Sequence, residues 1–291
     1  MTTYNTIYNI AYKNIDEHIN VLYTPTNTAF DLLVKMLDID LYNFDNQFHN
    51  YYYDLFWSNN FLSHTQKTLA FSKQAHILDL VWFHDRPPLK FKKEDIALVR
   101  NQLQFTRKIF ASSDTATSWG YDTTQHSIIE YGLPIKPEYE NIPKTESVLV
   151  INFNNNNEIN NFYEHIKSSN PSAKIINSLK HITSIDILYE IMSKYKVVID
   201  IYNPLTILIA AYLGCKTITA TNQPISLKGI TRLLDYSSIN NVLSSVLDDN
   251  LSNEDIVNNQ QWIKQNHNFE QFENITTNLL TQIKNEEFFV S

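Results

Sequence analysis

Glycine is nearly missing from this sequence: four occur in 291 residues, at positions 120, 132, 214 and 229. That spacing leaves no place for a GxGxxG turn or a Walker-type loop, which need clustered glycines so that backbone N–H groups approach phosphate closely. Nicotinamide-dependent and P-loop chemistry are set aside on that ground. Cysteine is scarcer still. Cys215 stands alone in an apolar stretch, which excludes an intramolecular disulfide and any multi-cysteine zinc site. The nine histidines never take a spacing such as HExxH, so no tightly held metal is expected. No apolar run reaches the roughly 18 residues that would span a bilayer. The polar start MTTYNTIYN has no basic segment leading into an apolar one. A cytoplasmic protein without a membrane span is expected.

What is present is ample core material, with 43% hydrophobic and 13% aromatic residues. The length favours two domains of roughly 130 to 150 residues. Abundant Asn, Ile, Lys, Tyr and Phe, all with AT-rich codons, point to an AT-rich genome such as that of a phage, a large virus or certain bacteria. In a viral setting the location is the host cytoplasm.

One stretch organises the chain. AHILDLVWFHDRPPLKFKKED, residues 75 to 95, carries an apolar run from Ile77 to Phe83 that suits a strand buried on both faces. It stops at His84-Asp85-Arg86-Pro87-Pro88, and the prolines force the chain out of the ladder. A strand end of this kind holds two titratable side chains at the mouth of a sheet. Asp85 is a candidate to accept a proton or orient a donor, and His84 to hydrogen-bond a reacting hydroxyl near neutral pH. The structural alternative is that both simply cap the strand and the following turn.

Charge is uneven around this stretch. The chain carries a net charge of −8, which argues against a protein that coats DNA generally. Yet Arg86, Lys90, Lys92, Lys93, Arg100, Arg107 and Lys108 stand against only Glu94 and Asp95 in one segment, a local excess of positive charge. Arg86, Lys90, Lys92 and Lys93 are the candidates for contact with an anionic acceptor.

Strand and helix patterns alternate along the rest of the chain. Ile19 to Tyr23 reads as a strand and Ala29 to Leu37 as a helix. Tyr52, Phe56 and Trp57 are placed on one helix face, as packing aromatics. Glu94 to Leu103 reads as a helix, Thr106 to Ser113 as a strand, Asp114 to Trp119 as a short helix and Ser127 to Tyr131 as a strand. Gly132-Leu133-Pro134-Ile135-Lys136-Pro137 is the best domain boundary. A second unit follows, with strands at Ser147 to Phe153, Ala173 to Asn177, Val197 to Tyr202 and Lys216 to Ala220, separated by helices. Such alternation implies parallel sheets with right-handed crossovers. Asn203 and Thr206 open a helix whose N-terminus suits a pyrophosphate, with a purely structural cap as the alternative reading of Thr206. Lys228 and Arg232, on what reads as a helix face, are candidates to clamp phosphate charge. Asn240 to Leu247 and Asn253 to Ile283 read as helices.

Several pieces, namely VWFHDRPP at a strand end, KIFASSDTATSWG, IIEYGLP at the link and VVIDIYNPLTILIAAYLGCKTITA, resemble the GT-B class of sugar-nucleotide glycosyltransferases. The resemblance implies an α/β fold of two Rossmann-like domains facing a cleft, with a C-terminal helix crossing back. The domains are 1–136 on the acceptor side, 137–258 for the nucleotide-sugar and 259–291 as a helical segment packing across both. It further implies transfer from a nucleotide-diphosphate sugar to an acceptor hydroxyl, with retention, and no tightly bound cofactor. Asn203, Thr206, Lys228 and Arg232 become donor-binding candidates. Phage DNA-base glycosyltransferases share this architecture, so double-stranded DNA with hydroxylated bases is the expected acceptor; a saccharide or lipid-linked acceptor is the alternative. The sequence departs from the class at Ile201 and Ile209, where many retaining members carry acids. Altered donor recognition or a non-catalytic binding protein would each account for that.

Overall fold

The computed structural model describes residues 20–24, 29–37, 40–43, 55–58, 80–83, 87, 91–102, 107–124, 126–153, 157–178, 182–201, 203–220, 227–233 and 236–287. Two parallel sheets form the framework. The first contains β1 (Asn20–Thr24), β2 (Asp40–Asn43), β3 (Leu55–Ser58), β4 (Leu80–Phe83), β5 (Arg107–Phe110) and β6 (Ser127–Ile128), in the order β2-β1-β3-β4-β5-β6. Helices α1 (Ala29–Val34), α2 (Lys93–Gln102) and α3 (Ser113–Ser118) belong to this half of the chain. The second sheet contains β7 (Glu146–Ile151), β8 (Lys174–Ile176), β9 (Tyr195–Asp200), β10 (Lys216–Thr219) and β11 (Ile230–Arg232), in the order β11-β10-β9-β7-β8. With it go α4 (Asn157–Ser169), α5 (Ile185–Met192), α6 (Pro204–Tyr212), α7 (Ile239–Asp248), α8 (Asn253–Asn266) and α9 (Phe269–Glu287). Parallel neighbours need long crossovers, which is what the strand–helix alternation supplies.

The apolar strands of the second sheet are buried on both faces. Leu149, Ile151 and Val198 join one core cluster, while Val148, Val150, Val197 and Ile199 join another, because successive side chains point to opposite faces. Helix α6 is apolar all round and every one of its residues is buried. It packs on β9, β10 and α8, and it also touches α1, all of whose residues are buried. α7 is instead one-sided, burying Ile239, Leu243 and Val246 at helical spacing.

Three segments differ from the sequence reading. Residues 55–58 form strand β3 between β1 and β4, not a helix, since aromatic residues fit a pleated surface at least as well as a helix. The segment around Lys228 and Arg232 is a turn followed by strand β11. The helical stretch after Asn253 is broken at His267 and Asn268 into α8 and α9.

The expected boundary at 136/137 falls within a segment that is fastened along its length to the helices of the second half. Leu133 N–H donates to His267 O at 2.7 Å. Tyr189 Oη on α5 donates to Pro134 O at 2.9 Å, and Lys136 pairs with Asp186 at 2.8 Å. Glu140 accepts the Tyr212 hydroxyl and pairs with Lys264 at 2.8 Å; burial, reinforced by that carboxylate, raises the Tyr212 hydroxyl far above its ordinary pKa. Lys144 Nζ donates to Ser193 O at 2.8 Å and Leu213 O at 2.7 Å, the C-caps of α5 and α6. One ammonium thus caps two helix ends whose carbonyls carry partial negative charge.

Candidate functional site

In open parallel sheets, ligands bind beyond the carboxyl ends of the strands, where the strand order reverses and successive loops part. In the second sheet that reversal lies between β7 and β9, with Ile151 level with Asp200. Buried Asn152 follows β7; its backbone N–H donates to Ile176 O at 2.7 Å and its Nδ2 to Asn160 Oδ1 at 3.0 Å. At the end of β9, buried Asp200 accepts the Asn203 N–H at 3.0 Å, which turns the chain into α6. Asn203 is the N-cap, its Oδ1 accepting Leu205 N–H at 3.1 Å, and Pro204 occupies the first helical position. Thr206 is fully buried in the first turn, and its Oγ1 makes no hydrogen bond. A buried hydroxyl without a partner costs free energy unless something else satisfies it.

The two basic candidates on the donor side are not brought together. Ile199 pairs with Ile218 and Thr219 with Arg232, so exposed Arg232 stands level with Asp200, two strands and about 10 Å away, at the carboxyl edge. Lys228 lies before β11, at the amino edge. The three residues of β11, about 10 Å of strand, lie between it and the level of Asp200. Its backbone is clamped there by buried Asn259 of α8, which accepts Lys228 N–H at 2.9 Å and donates to Lys228 O at 2.9 Å. Four residues apart, Lys228 and Arg232 would share a helix face; a strand puts them at opposite ends of the sheet.

On the first sheet, His84, Asp85, Arg86 and Lys90 lie outside the described residues. Their anchorage does not. Phe83, the last residue of β4, is buried, stacks on Phe110 at 4.9 Å and meets Trp119 at 5.0 Å. Phe83 O accepts Ala111 N–H at 2.9 Å, which sets the start of α3 beside the end of β4. Ser112 caps that helix, its Oγ accepting Thr115 N–H at 3.0 Å, and exposed Asp114 sits in its first turn. In sequence Asp114 is legible only as a helix start, and Asn152 carries the same local signal as His84, a polar residue following an apolar strand.

Lys92 and Lys93 are exposed at the start of α2, where Asp95 Oδ2 accepts Lys92 N–H at 2.8 Å. Among the described basic residues, Lys92 and Lys93 stand at one end of α2 and Arg100 near the other. Helix α2 is about 15 Å long at 1.5 Å per residue. At its far end Arg100 lies over the ring of Tyr121 at 5.0 Å, as does Lys108 from β5 at 5.6 Å. Ile201 and Ile209, at the positions where the resemblance implies acids, are both buried, one in each core cluster of the second sheet. Among the described residues no three His, Cys, Asp or Glu side chains gather as metal ligands, and no helix is long and apolar enough to cross a membrane.

No protein-family description and no curated protein matches the sequence. Solved structures do. The chain is similar to sucrose-phosphate synthase from Thermosynechococcus elongatus, at 14% identity and a TM-score of 0.55, over 92% of this chain and 81% of that one. It is also similar to the spinosyn forosaminyltransferase SpnP (9% identity, TM-score 0.46, 91% of this chain and 100% of that one). An alpha1,3-fucosyltransferase gives 10% identity and a TM-score of 0.45, over 91% of each chain. The first of these likenesses carries the conclusion, and it concerns the fold: parallel α/β sheets of the kind found in GT-B glycosyltransferases.

Proposed function

We propose that this protein transfers a sugar from a nucleotide-diphosphate sugar to an acceptor hydroxyl. The observation that carries the reading is the crevice between β7 and β9, where the capped N-terminus of α6 and the partnerless Thr206 hydroxyl lie at the edge that also holds Arg232. A helix N-terminus favours a diphosphate, and Arg232 adds a full positive charge for the leaving group. The fold shared with a sucrose-phosphate synthase supports the same reaction class. Asp85, which follows β4 in the sequence, takes the proton of the acceptor hydroxyl, held by His84, as the sugar carbon bonds to that oxygen and the bond to the diphosphate breaks. Lys228, at the opposite edge of the sheet, is left out of this site.

The acceptor is proposed to be a hydroxylated base in double-stranded DNA, supported by Arg86, Lys90, Lys92 and Lys93 following directly on the strand end that carries Asp85. Incubation with a panel of nucleotide-sugars, hydroxymethylated DNA and a saccharide pool, read by mass spectrometry, tests donor and acceptor together. Product on DNA supports the reading, product on saccharide alone replaces the acceptor, and no product with any donor removes the enzyme. Reversing the charge of Lys92 and Lys93 should weaken DNA binding and flatten its salt dependence. The anomeric configuration of the product separates retention, which the resemblance implies, from inversion, which direct displacement with Asp85 as base gives.

A second reading, a binding protein without turnover, is favoured by Ile201 and Ile209 lying in the core instead of presenting acids. Calorimetry showing nucleic-acid or sugar binding, with no nucleotide-diphosphate binding, would select it.

A further inference from the structure

The inward stripe of α8 is half-buried Ile256 and buried Asn259, Gln260 and Ile263, at helical spacing, so two amides lie in the middle of an apolar contact. Both amides bond backbone. Gln260 Nε2 donates at 3.1 Å to the carbonyl oxygen of Tyr212, the last residue of α6. Asn259 accepts the Lys228 N–H and donates to Lys228 O, each at 2.9 Å. By meeting the N–H and C=O of one residue, it does what a neighbouring strand would do. A satisfied buried amide adds little net stability over an apolar side chain of the same shape. It does fix position, because a shift would leave its polar atoms unpaired.

Strand β11 is the element that such a clamp serves. It has three residues and stands last in the order of its sheet, paired with β10 through Thr217–Ile230, Ile218–Thr231 and Thr219–Arg232. A slip of one residue would carry Arg232 about 3.3 Å along the strand and turn its side chain to the other face of the sheet. The turn that feeds the strand has little freedom of its own. Gly229 holds φ +77°, and a Cβ there would stand 3.2 Å from Leu251. Asn259 thus fixes the amino end of β11, and Arg232 stands at the carboxyl end, level with Asp200.

We propose that Asn259 is a positioning residue for the donor diphosphate: by clamping Lys228 it sets the register of β11 and so holds Arg232 level with Asp200, where the chain turns into α6. The inference rests on the reading of Arg232 as a phosphate contact and adds to it a residue that acts from the opposite edge of the sheet. Gln260, next to Asn259, ties the C-terminus of α6 to the same helix. The two elements that meet the diphosphate, the N-terminus of α6 and the end of β11, therefore share one frame in α8.

The test is a double-mutant cycle on the full chain, read by calorimetry at fixed ionic strength with UDP, ADP, GDP and dTDP as probes, the tightest of the four being carried forward. Arg232→Ala should weaken binding about tenfold and Asn259→Ala about fivefold, while the double variant should bind no more weakly than Arg232→Ala alone. Residues this far apart give additive effects unless one acts through the other. Asn259→Ala combined with Thr206→Val should therefore multiply the two losses. Asn259→Asp, which keeps the acceptor for Lys228 N–H, should lose less than Asn259→Ala, and it takes that variant's place in the cycle if Asn259→Ala does not fold. A purely structural Asn259 would lower the urea midpoint and leave the affinity unchanged, or cost the same factor with and without Arg232; either result overturns the proposal. Wild-type affinity in Arg232→Ala overturns it as well. Failure of the wild-type protein to bind any of the four probes removes the donor reading itself, and this inference with it.

Discussion

His267 Nδ1 lies 2.7 Å from the carbonyl oxygen of Tyr131, 136 residues earlier in the chain. A carbonyl only accepts, so Nδ1 carries the proton, and the buried Nε2 has no hydrogen-bond partner. The contact joins the turn between α8 and α9 to the chain leaving the first sheet. Burial holds this imidazole below its ordinary pKa, against smaller opposing effects of the Tyr131 carbonyl and Glu130.

That arrangement has a signed pH dependence. The unfolded chain binds the His267 proton more readily than the folded one, so this contribution to stability is complete above the ordinary imidazole pKa and is lost as pH falls through and below it. Urea midpoints measured between about pH 7.5 and pH 5 should fall in the wild type. His267→Asn, which keeps a donor for Tyr131 without a titrating ring, should flatten that slope; an unchanged slope would assign the pH dependence elsewhere.

Gly132 permits the same junction sterically. A Cβ at this position would stand 2.4 Å from Phe272 Cβ, 2.6 Å from Asn268 O and 2.8 Å from Phe269 Cα, two of them backbone atoms that cannot move aside. Gly132→Ala should cost roughly 2–3 kcal/mol by overpacking, read as a lower urea midpoint with an unchanged slope.

Lys144→Met leaves the stem in place and removes the ammonium from Ser193 O and Leu213 O. A loss of about 2 kcal/mol is expected, since two helix-end carbonyls lose a charged donor. Lys144→Arg should recover part of it; a stability equal to wild type in the Met variant would show that water replaces the ammonium without cost.

Thr206→Val tests whether the crevice takes a ligand. The substitution removes a buried hydroxyl that has no partner, so the free protein should be no less stable than wild type. Affinity for a nucleoside diphosphate, by calorimetry, should drop by about 1 kcal/mol, roughly fivefold. Equal affinity would make Thr206 a core residue alone.

Much of the framework was legible locally. The strand ending at Phe83, the strands within Ser147 to Phe153 and Val197 to Tyr202, and the helices within Asn240 to Leu247 and after Asn203 each rest on patterns within a few residues of sequence. The strand at Leu55–Ser58 is hidden in its sequence because aromatic side chains alone do not separate a strand from a helix. The break at His267 was invisible for a different reason. It is held by Tyr131 and Leu133, far away in sequence.

The sequence by itself determined that this is a parallel α/β protein and where most of its strands lie, because periodicity and turn chemistry are local properties of the chain. Only the tertiary structure decided which of those residues share an edge. Register across β9, β10 and β11 keeps Arg232 level with Asp200 and puts Lys228 at the other end. Strand order and register are set by pairing between distant segments, and a linear count of charges carries no information about them.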